Sequence, residues 1–302
     1  MDFEVVAEGL AFPEGPVVMP DGSVLVVEIK SGALTRCWNG RKEKVAQIGG
    51  GPNGAALGPD GALYITNNGG FTWIDILGLA IPTTAAPDYT TGRVERVDLA
   101  TGKVERVYES VDGEQLSGPN DIVFEQSGAF WFTDLGKWRH RVKERGGLYY
   151  AQPDGSHIRE VSYGTLGFNG VGLSPDERAV YVAETDTARL YAFDVTTPGE
   201  VAPNQPGAWG RFVAAHAVNA QFDSLAVQAD GGVCVATILH AGITTITPAG
   251  VMTHTPFPDP LTTNIAFAGA DMRDAYITLS GTGKLIKARW PAPGKQLNFN
   301  PY

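Results

Sequence analysis

The chain has 302 residues, with 33 acidic and 23 basic side chains and a formal charge of −10, a balance that argues against a nucleic-acid partner. Apolar residues at 43% suffice for a large core, 38 Gly and 20 Pro supply turns, and no long stretch keeps a helical period, so an all-β class is expected. No run approaches 18 apolar residues, and MDFEVVAEGLAF has neither the basic start nor the apolar block of a secretory signal, so a cytoplasmic protein with no membrane partner is expected.

In chain order, FEVVAE reads as a lone strand, and then a hairpin unit recurs six times. Its turns lie in MPDGSVLVVE (19 to 28), GPDGALYITN (58 to 67), SGPNDIVFEQSGAFWFTD (117 to 134), SPDERAVYVAE (174 to 184), QADGGVCVAT (228 to 237) and GADMRDAYITL (269 to 279). Further alternating runs, such as ALTRCWNG with EKVAQI and GGLYYAQPDGSHIREVS, follow each hairpin as outer strands. A several-stranded unit repeated without a linker predicts one six-bladed β-propeller domain over residues 1–302. Only KLIKARW follows the last hairpin, so the N-terminal FEVVAE is expected to complete the last blade and close the ring.

The turn residues are Asp21, Asp60, Ser127, Asp176, Asp230 and Asp271. Seven positions before them stand Glu14, Asn53, Asn120, Asn169, Asp223 and Asn264, all acids or amides, although such residues fill only about one position in six. A ring of two carboxylates and four carboxamides around one axis is unfavourable if unpaired. Either water fills a polar tunnel there, or the ring holds a hard cation: one divalent ion, with Ca²⁺ favoured, Mg²⁺ and Mn²⁺ suitable and Zn²⁺ less natural for an all-oxygen set. The returning strands end on the same face in Glu28, Asn67, Asp134, Glu184, Thr237 and Leu279, either as a supporting ring or as ordinary polar strand ends.

Two irregular segments should rim that face. Residues 69–91 form an apolar insert with Phe71, Trp73, Ile74, Ile76, Leu77, Leu79 and Ile81, read as a short helix or flap that buries itself, either as a lid that puts Trp73 against substrate or as an oligomer contact. Asp134 to Gly147 is rich in Lys and Arg and carries Trp138. His240 follows the fifth hairpin near the mouth and is a candidate substrate contact, and Cys37 and Cys234 read as buried thiols on separate strands.

Pro13-Glu14-Gly15-Pro16, Gly118-Pro119-Asn120-Asp121, Phe168-Asn169-Gly170 and Phe222-Asp223 give the whole chain a resemblance to the gluconolactonase and regucalcin (senescence marker protein) family, which is related to diisopropyl fluorophosphatase. The resemblance implies a six-bladed propeller with one axial divalent ion, with Glu14, Asn120, Asn169 and Asp223 as ligands and Asp223 also as base. Asn53 and Asn264 fall outside that ligand set and are left for substrate oxygens or water. Sugar lactonases of this family carry an Arg two residues before the Asn of blade three, where this chain has Gly118. The implied activity is a metal-dependent lactonase or esterase for a small lactone or ester less polar than gluconolactone. A phosphotriesterase-like hydrolase is the alternative, and a non-catalytic binding propeller, including the strictosidine-synthase type, is disfavoured by the paired acids Glu14 and Asp223.

Overall fold

A computed structural model of the chain describes residues 1–217 and 219–300, and among these it contains strands and turns but no helix. Six antiparallel sheets succeed one another. From the inside outwards the first is Pro13–Val18, Val24–Glu28, Ala33–Trp38 and Arg41–Gln47. The second is Pro52–Leu57, Leu63–Asn67, Arg93–Val97 and Val104–Tyr108; the third is Pro119–Phe124, Phe130–Asp134, Gly146–Ala151 and Ile158–Thr165. The fourth is Phe168–Leu173, Ala179–Glu184, Arg189–Thr197 and Arg211–Ala215, and the fifth is Gln221–Val227, Val233–Ile238, Gly242–Ile246 and Met252–Pro256. The sixth begins with Thr262–Ala268, Asp274–Leu279 and Lys284–Arg289 and takes Phe3–Glu8 as its outer strand, as expected. The innermost strands touch in succession, and Pro13–Val18 packs against both Pro52–Leu57 and Thr262–Ala268, so the ring is closed.

The turns explain the repeat. Asp21, Asp60, Asp176, Asp230 and Asp271 each accept a hydrogen bond from the backbone N–H two residues on, and Ser127 does the same through its hydroxyl. A side chain that folds back on its own backbone fixes the turn locally, and so fixes the register of both strands. Between blades the core is apolar. Tyr64, Phe124, Phe130, Phe132 and Tyr149 fill the wedge between the second and third blades, with Phe132 and Tyr149 stacked at 5.0 Å. Cys37 and Cys234 are buried and unbonded in the first and fifth sheets, and burial pushes both thiols up to about 12, which leaves them inert.

Of the two forms expected for the insert, a short helix or a flap, it is a flap. Phe71–Ile76 and Leu79–Ala85 form a β-hairpin, with Ile76 paired to Leu79 around a two-residue turn in which Leu77 (φ 55°) and Gly78 (φ 79°) are both left-handed. Phe71 and Trp73 share its inner face. Ile74 and Ile76 point the other way and stay about half exposed, and Leu77 at the tip is 97% exposed, so the hairpin buries only part of its apolar surface.

Beyond the last strand, residues 290–300 cross the turn side of the propeller. Lys295 N–H donates to the Val227 carbonyl, its ammonium pairs with Glu177 at 3.3 Å, and the Asn298 side chain donates to the Phe124 carbonyl at 3.1 Å. Lys295 and Leu297 thereby cap an axial channel whose walls include Ile122, Leu173, Leu225 and Phe267.

Candidate functional site

At the end of the axis away from these turns each innermost strand begins with a flaw in its ladder. In blades two to five the register jumps over the axial residue, from Pro52–Asn67 to Ala55–Ile65, Pro119–Asp134 to Ile122–Phe132, Phe168–Glu184 to Val171–Val182 and Phe222–Thr237 to Leu225–Val235. In blade one the irregularity follows Glu14, and in blade six it precedes Asn264. A bulge releases a side chain from the alternation of its strand, which lets neighbouring blades present polar groups to one axis. Hydroxyls tie these bulges together: Thr66 donates to the Asn120 carbonyl (2.5 Å), Thr133 to the Asn169 carbonyl and Ser280 to the Pro13 carbonyl (2.5 Å). Gly15 completes the junction, since at φ 51° a Cβ there would lie 2.8 Å from the Asn53 carbonyl oxygen.

The structure brings all six axial residues together. Glu14, Asn53, Asn120, Asn169 and Asn264 are buried, and of the six only Asp223 keeps a partly exposed surface. Asn264 is not free for substrate as expected: its amide donates to Glu14 Oε2 at 2.7 Å, and its oxygen accepts from the Ile265 N–H, so it orients the glutamate. Asn169 donates to the Thr185 hydroxyl at 3.1 Å. The Oδ1 atoms of Asn120 and Asn169 are buried and have no hydrogen-bond donor.

Burial raises the pKa of Glu14, against hydrogen bonds from Thr263, Asn264 and the Gly15 N–H. It raises Asp223 further, with the Glu14 charge adding to it and a hydrogen bond from Asn169 opposing it. A third carboxylate stands beside them. Asp121 accepts from the N–H groups of Ile122 and Val171, and burial together with the Glu14 charge lifts it to about 7. Three neighbouring acids, two of them raised by the Glu14 charge, next to two oxygens without donors are electrostatically incomplete, and a divalent cation fits that donor set. Among the described residues no group of three or more His, Cys, Asp or Glu is placed to hold a metal ion, so an ion here would need the carboxamide oxygens as well.

The returning-strand ends serve the ring indirectly. Glu28 accepts from the Ala11 N–H, Asn67 from Gly51, Asp134 from Ser117 and Gly118, and Glu184 from Leu166, each two or three residues before the axial side chain of its blade. Blade six has Leu279 at this place, and Asp259 takes over by accepting from the Leu261 N–H. Asp134 also accepts from Gly136, which draws the next loop so close that a Cβ on Gly118 would lie 2.5 Å from the Gly136 carbonyl oxygen. No side chain fits at 118.

Around the mouth, the hairpin leaves blade two and leans over blades one and six. Trp73 packs on Phe12 (5.0 Å between ring centroids) and under Lys30 (5.7 Å), and the Ala80 N–H donates to the Gly281 carbonyl at 3.2 Å. Phe12, two residues before Glu14, is held at φ 61°, a conformation that costs a bulky residue energy. The Trp138–Arg139 strand rests against Leu79–Ala85 from the other side. His240 is exposed, and its ring contacts are with His216 (4.8 Å) and His254 (4.3 Å) on the rim between blades four and five. Sequence reasoning missed Asp121, although it adjoins Asn120, because its strand position is outside the seven-residue count. It also missed Lys137, a buried cation in a Lys- and Arg-rich segment expected to rim the mouth.

Residues 12–281 match the model of the SMP-30/gluconolactonase/LRE-like region. A gluconolactonase of Zymomonas mobilis is 26% identical over 207 residues, which is 61% of this chain and 52% of that protein. Lactonase drp35 of Staphylococcus saprophyticus is 27% identical over 64% of this chain and 52% of its own length, so the chain spans about half the length of these relatives. Among solved structures, a calcium-binding regucalcin from Agrobacterium tumefaciens superposes with a TM-score of 0.76 at 18% identity, covering 99% of this chain and 96% of its own. A gluconolactonase from Xanthomonas campestris gives 0.73 at 20%, covering 96% and 89%. At such identities these two likenesses establish the six-bladed architecture alone. With the family model spanning nearly all six blades, the chain belongs to the SMP-30/gluconolactonase/LRE-like family.

Proposed function

We propose that the protein is a metal-dependent lactonase whose preferred substrates are less polar than gluconolactone. The observation that carries this reading is the pair of donor-less carboxamide oxygens of Asn120 and Asn169 beside the buried carboxylates of Glu14 and Asp223. Those four residues would hold one divalent ion, with Ca²⁺ the best match to an all-oxygen set. Bound there, the ion supplies Lewis acidity that polarises a lactone carbonyl and stabilises the developing oxyanion.

Asp223, the ring residue that keeps a partly exposed surface, takes the proton from the attacking water. Asn264 and the Gly15 N–H both donate to Glu14 Oε2 and orient its carboxyl. Asn53 is left to meet substrate oxygens. Preference for apolar substrates is supported by the Trp73 and Phe12 rings beside the mouth and by Gly118, where no hydroxyl-gripping side chain fits. The names of the gluconolactonase and lactonase relatives agree with the reaction class.

A panel of lactones of graded polarity, assayed with Ca²⁺ and after chelation, tests this. Hydrolysis that is lost on chelation and is faster for alkyl-substituted lactones than for gluconolactone is expected. Hydrolysis unaffected by removal of metal, or the absence of any lactone turnover by the metal-loaded protein, would overturn it.

A further inference from the structure

Lys137 is fully buried, and among the described residues no carboxylate lies within ion-pair distance of it. Its ammonium donates to the Asn68 carbonyl at 2.6 Å and to Asn68 Oδ1 at 3.1 Å, and it lies 3.7 Å from the centroid of the Phe71 ring, with Tyr89 at 5.1 Å. An ammonium has three donors: two meet Asn68, and the ring face of Phe71 takes the third. Lys137 belongs to the loop of blade three, whereas Asn68, Phe71 and Tyr89 all belong to the two ends of the blade-two insert. Next to it, the Arg139 guanidinium lies 4.7 Å from the Tyr89 ring and pairs with Glu144 at 2.9 Å. The cation of one blade is thus solvated by the insert of another.

The dependence runs both ways. Asn68 Oδ1 also accepts from the Gly70 N–H and so fixes the first turn of the insert, while Asn68 Nδ2 is buried with no partner. Without a donor at 137, the Asn68 carbonyl oxygen would join that nitrogen in being buried and unpaired and Oδ1 would keep only the Gly70 N–H, and relief would come from lifting the insert into water. At its far end the hairpin is held by Trp73 between Phe12 and Lys30 and by the Ala80 to Gly281 bond.

We propose that Lys137 is the clamp that holds the 69–91 hairpin seated across the mouth, and so a positioning residue for substrate choice; the second half rests on the reading of the hairpin as the substrate wall. It acts through Asn68 and Phe71 and not on the reacting atoms.

The test compares the full-length protein with Lys137→Met, which keeps the volume and removes the donor, and Lys137→Gln, which restores a donor without charge. Hydrogen exchange at the Ala80 amide reports seating. Lys137→Met should accelerate it on the order of tenfold, the scale of one lost buried hydrogen bond, and Lys137→Gln should recover part of that. With an alkyl lactone Lys137→Met should raise KM and leave kcat near its original value; with gluconolactone neither should move, and Ca²⁺ affinity should not change. Faster exchange with an unaltered alkyl-lactone KM would keep the clamp and overturn the hairpin's part in selectivity. Unchanged or slower Ala80 exchange would overturn the clamp itself. Acetylation of the unsubstituted protein gives a measurement that needs no variant: Lys137 should react far more slowly than the exposed Lys103, and equal rates would also sink the clamp.

Discussion

The axis and the mouth of this propeller are built on opposite plans. Around the axis every blade contributes an aspartate or serine turn, a bulge near the residue seven positions earlier and a polar side chain there, and in every blade but the fifth a carboxylate or amide holds the entry loop. At the mouth nothing repeats. One blade sends out a hairpin with a fully exposed tip, another a cationic loop, and they are held by single contacts such as Lys137 on Phe71 and Trp73 on Phe12. Repetition gives a rigid site in which any change is felt by several blades, and the unrepeated rim can vary without disturbing it.

That contrast is open to experiment, first at the axis. Asp223→Asn keeps an oxygen and loses the base, so kcat/KM for any lactone should fall by roughly 10²- to 10⁴-fold while metal is retained; Glu14→Gln should chiefly weaken Ca²⁺ binding, read by calorimetry. If both variants lost activity only in proportion to bound metal, Asp223 would be a ligand and nothing more.

The next effect is on stability. Asp121 titrates at about 7 in the folded chain against an ordinary 3.8, and Glu14 and Asp223 are shifted in the same direction. Between those values the folded state holds more protons than the unfolded state, so stability of the metal-free protein declines as pH rises through that window. Thermal unfolding of chelated protein should therefore occur at lower temperature at pH 7.5 than at pH 5.5 from these groups, and added Ca²⁺ should restore more at the higher pH, where it does not compete with protons. A Ca²⁺ effect equal at both values would separate the ion from these acids.

Changes at the mouth should be smaller. Replacing Trp73 and Ile74 by Ser should reduce the preference for alkyl lactones by about tenfold and leave Ca²⁺ affinity as it was, since no axial residue lies in the hairpin. An unaltered preference would make the hairpin a contact between copies, visible by sedimentation. Leu77→Ser, at the exposed tip, should shift stability by no more than about 0.5 kcal/mol. A larger loss would show that the tip is covered in solution.

Much of the axis was legible in the sequence because local chemistry sets it. A turn residue that bonds its own backbone fixes strand register, and register fixes which residue stands seven positions away, so Glu14, Asn53, Asn120, Asn169, Asp223 and Asn264 could be read by counting. What each does once there could not. Asn264 was assigned to substrate, yet a ring closed across 250 residues of sequence sets it against Glu14. Asp121 draws its weight from burial beside Glu14, a proximity created only when blades one and three converge.

The rim was least legible. Leu77 in a left-handed turn carries no turn signature, so a hairpin read as helix or flap. Gly118 read as the loss of an Arg, whereas the loop at Gly136, pulled in by Asp134, is what leaves no room for any side chain. Nothing in the Lys- and Arg-rich rim segment singled out Lys137, which Asn68, Phe71 and Tyr89 enclose. By itself the sequence determined the repeat, the number of blades, the closing strand and the polar ring, because those follow from hydrogen bonds and alternation within a few residues. The tertiary structure alone decided which carboxylates share a field, which oxygens lack donors and what roofs the mouth, because these depend on burial and on distances between blades that no local spacing encodes.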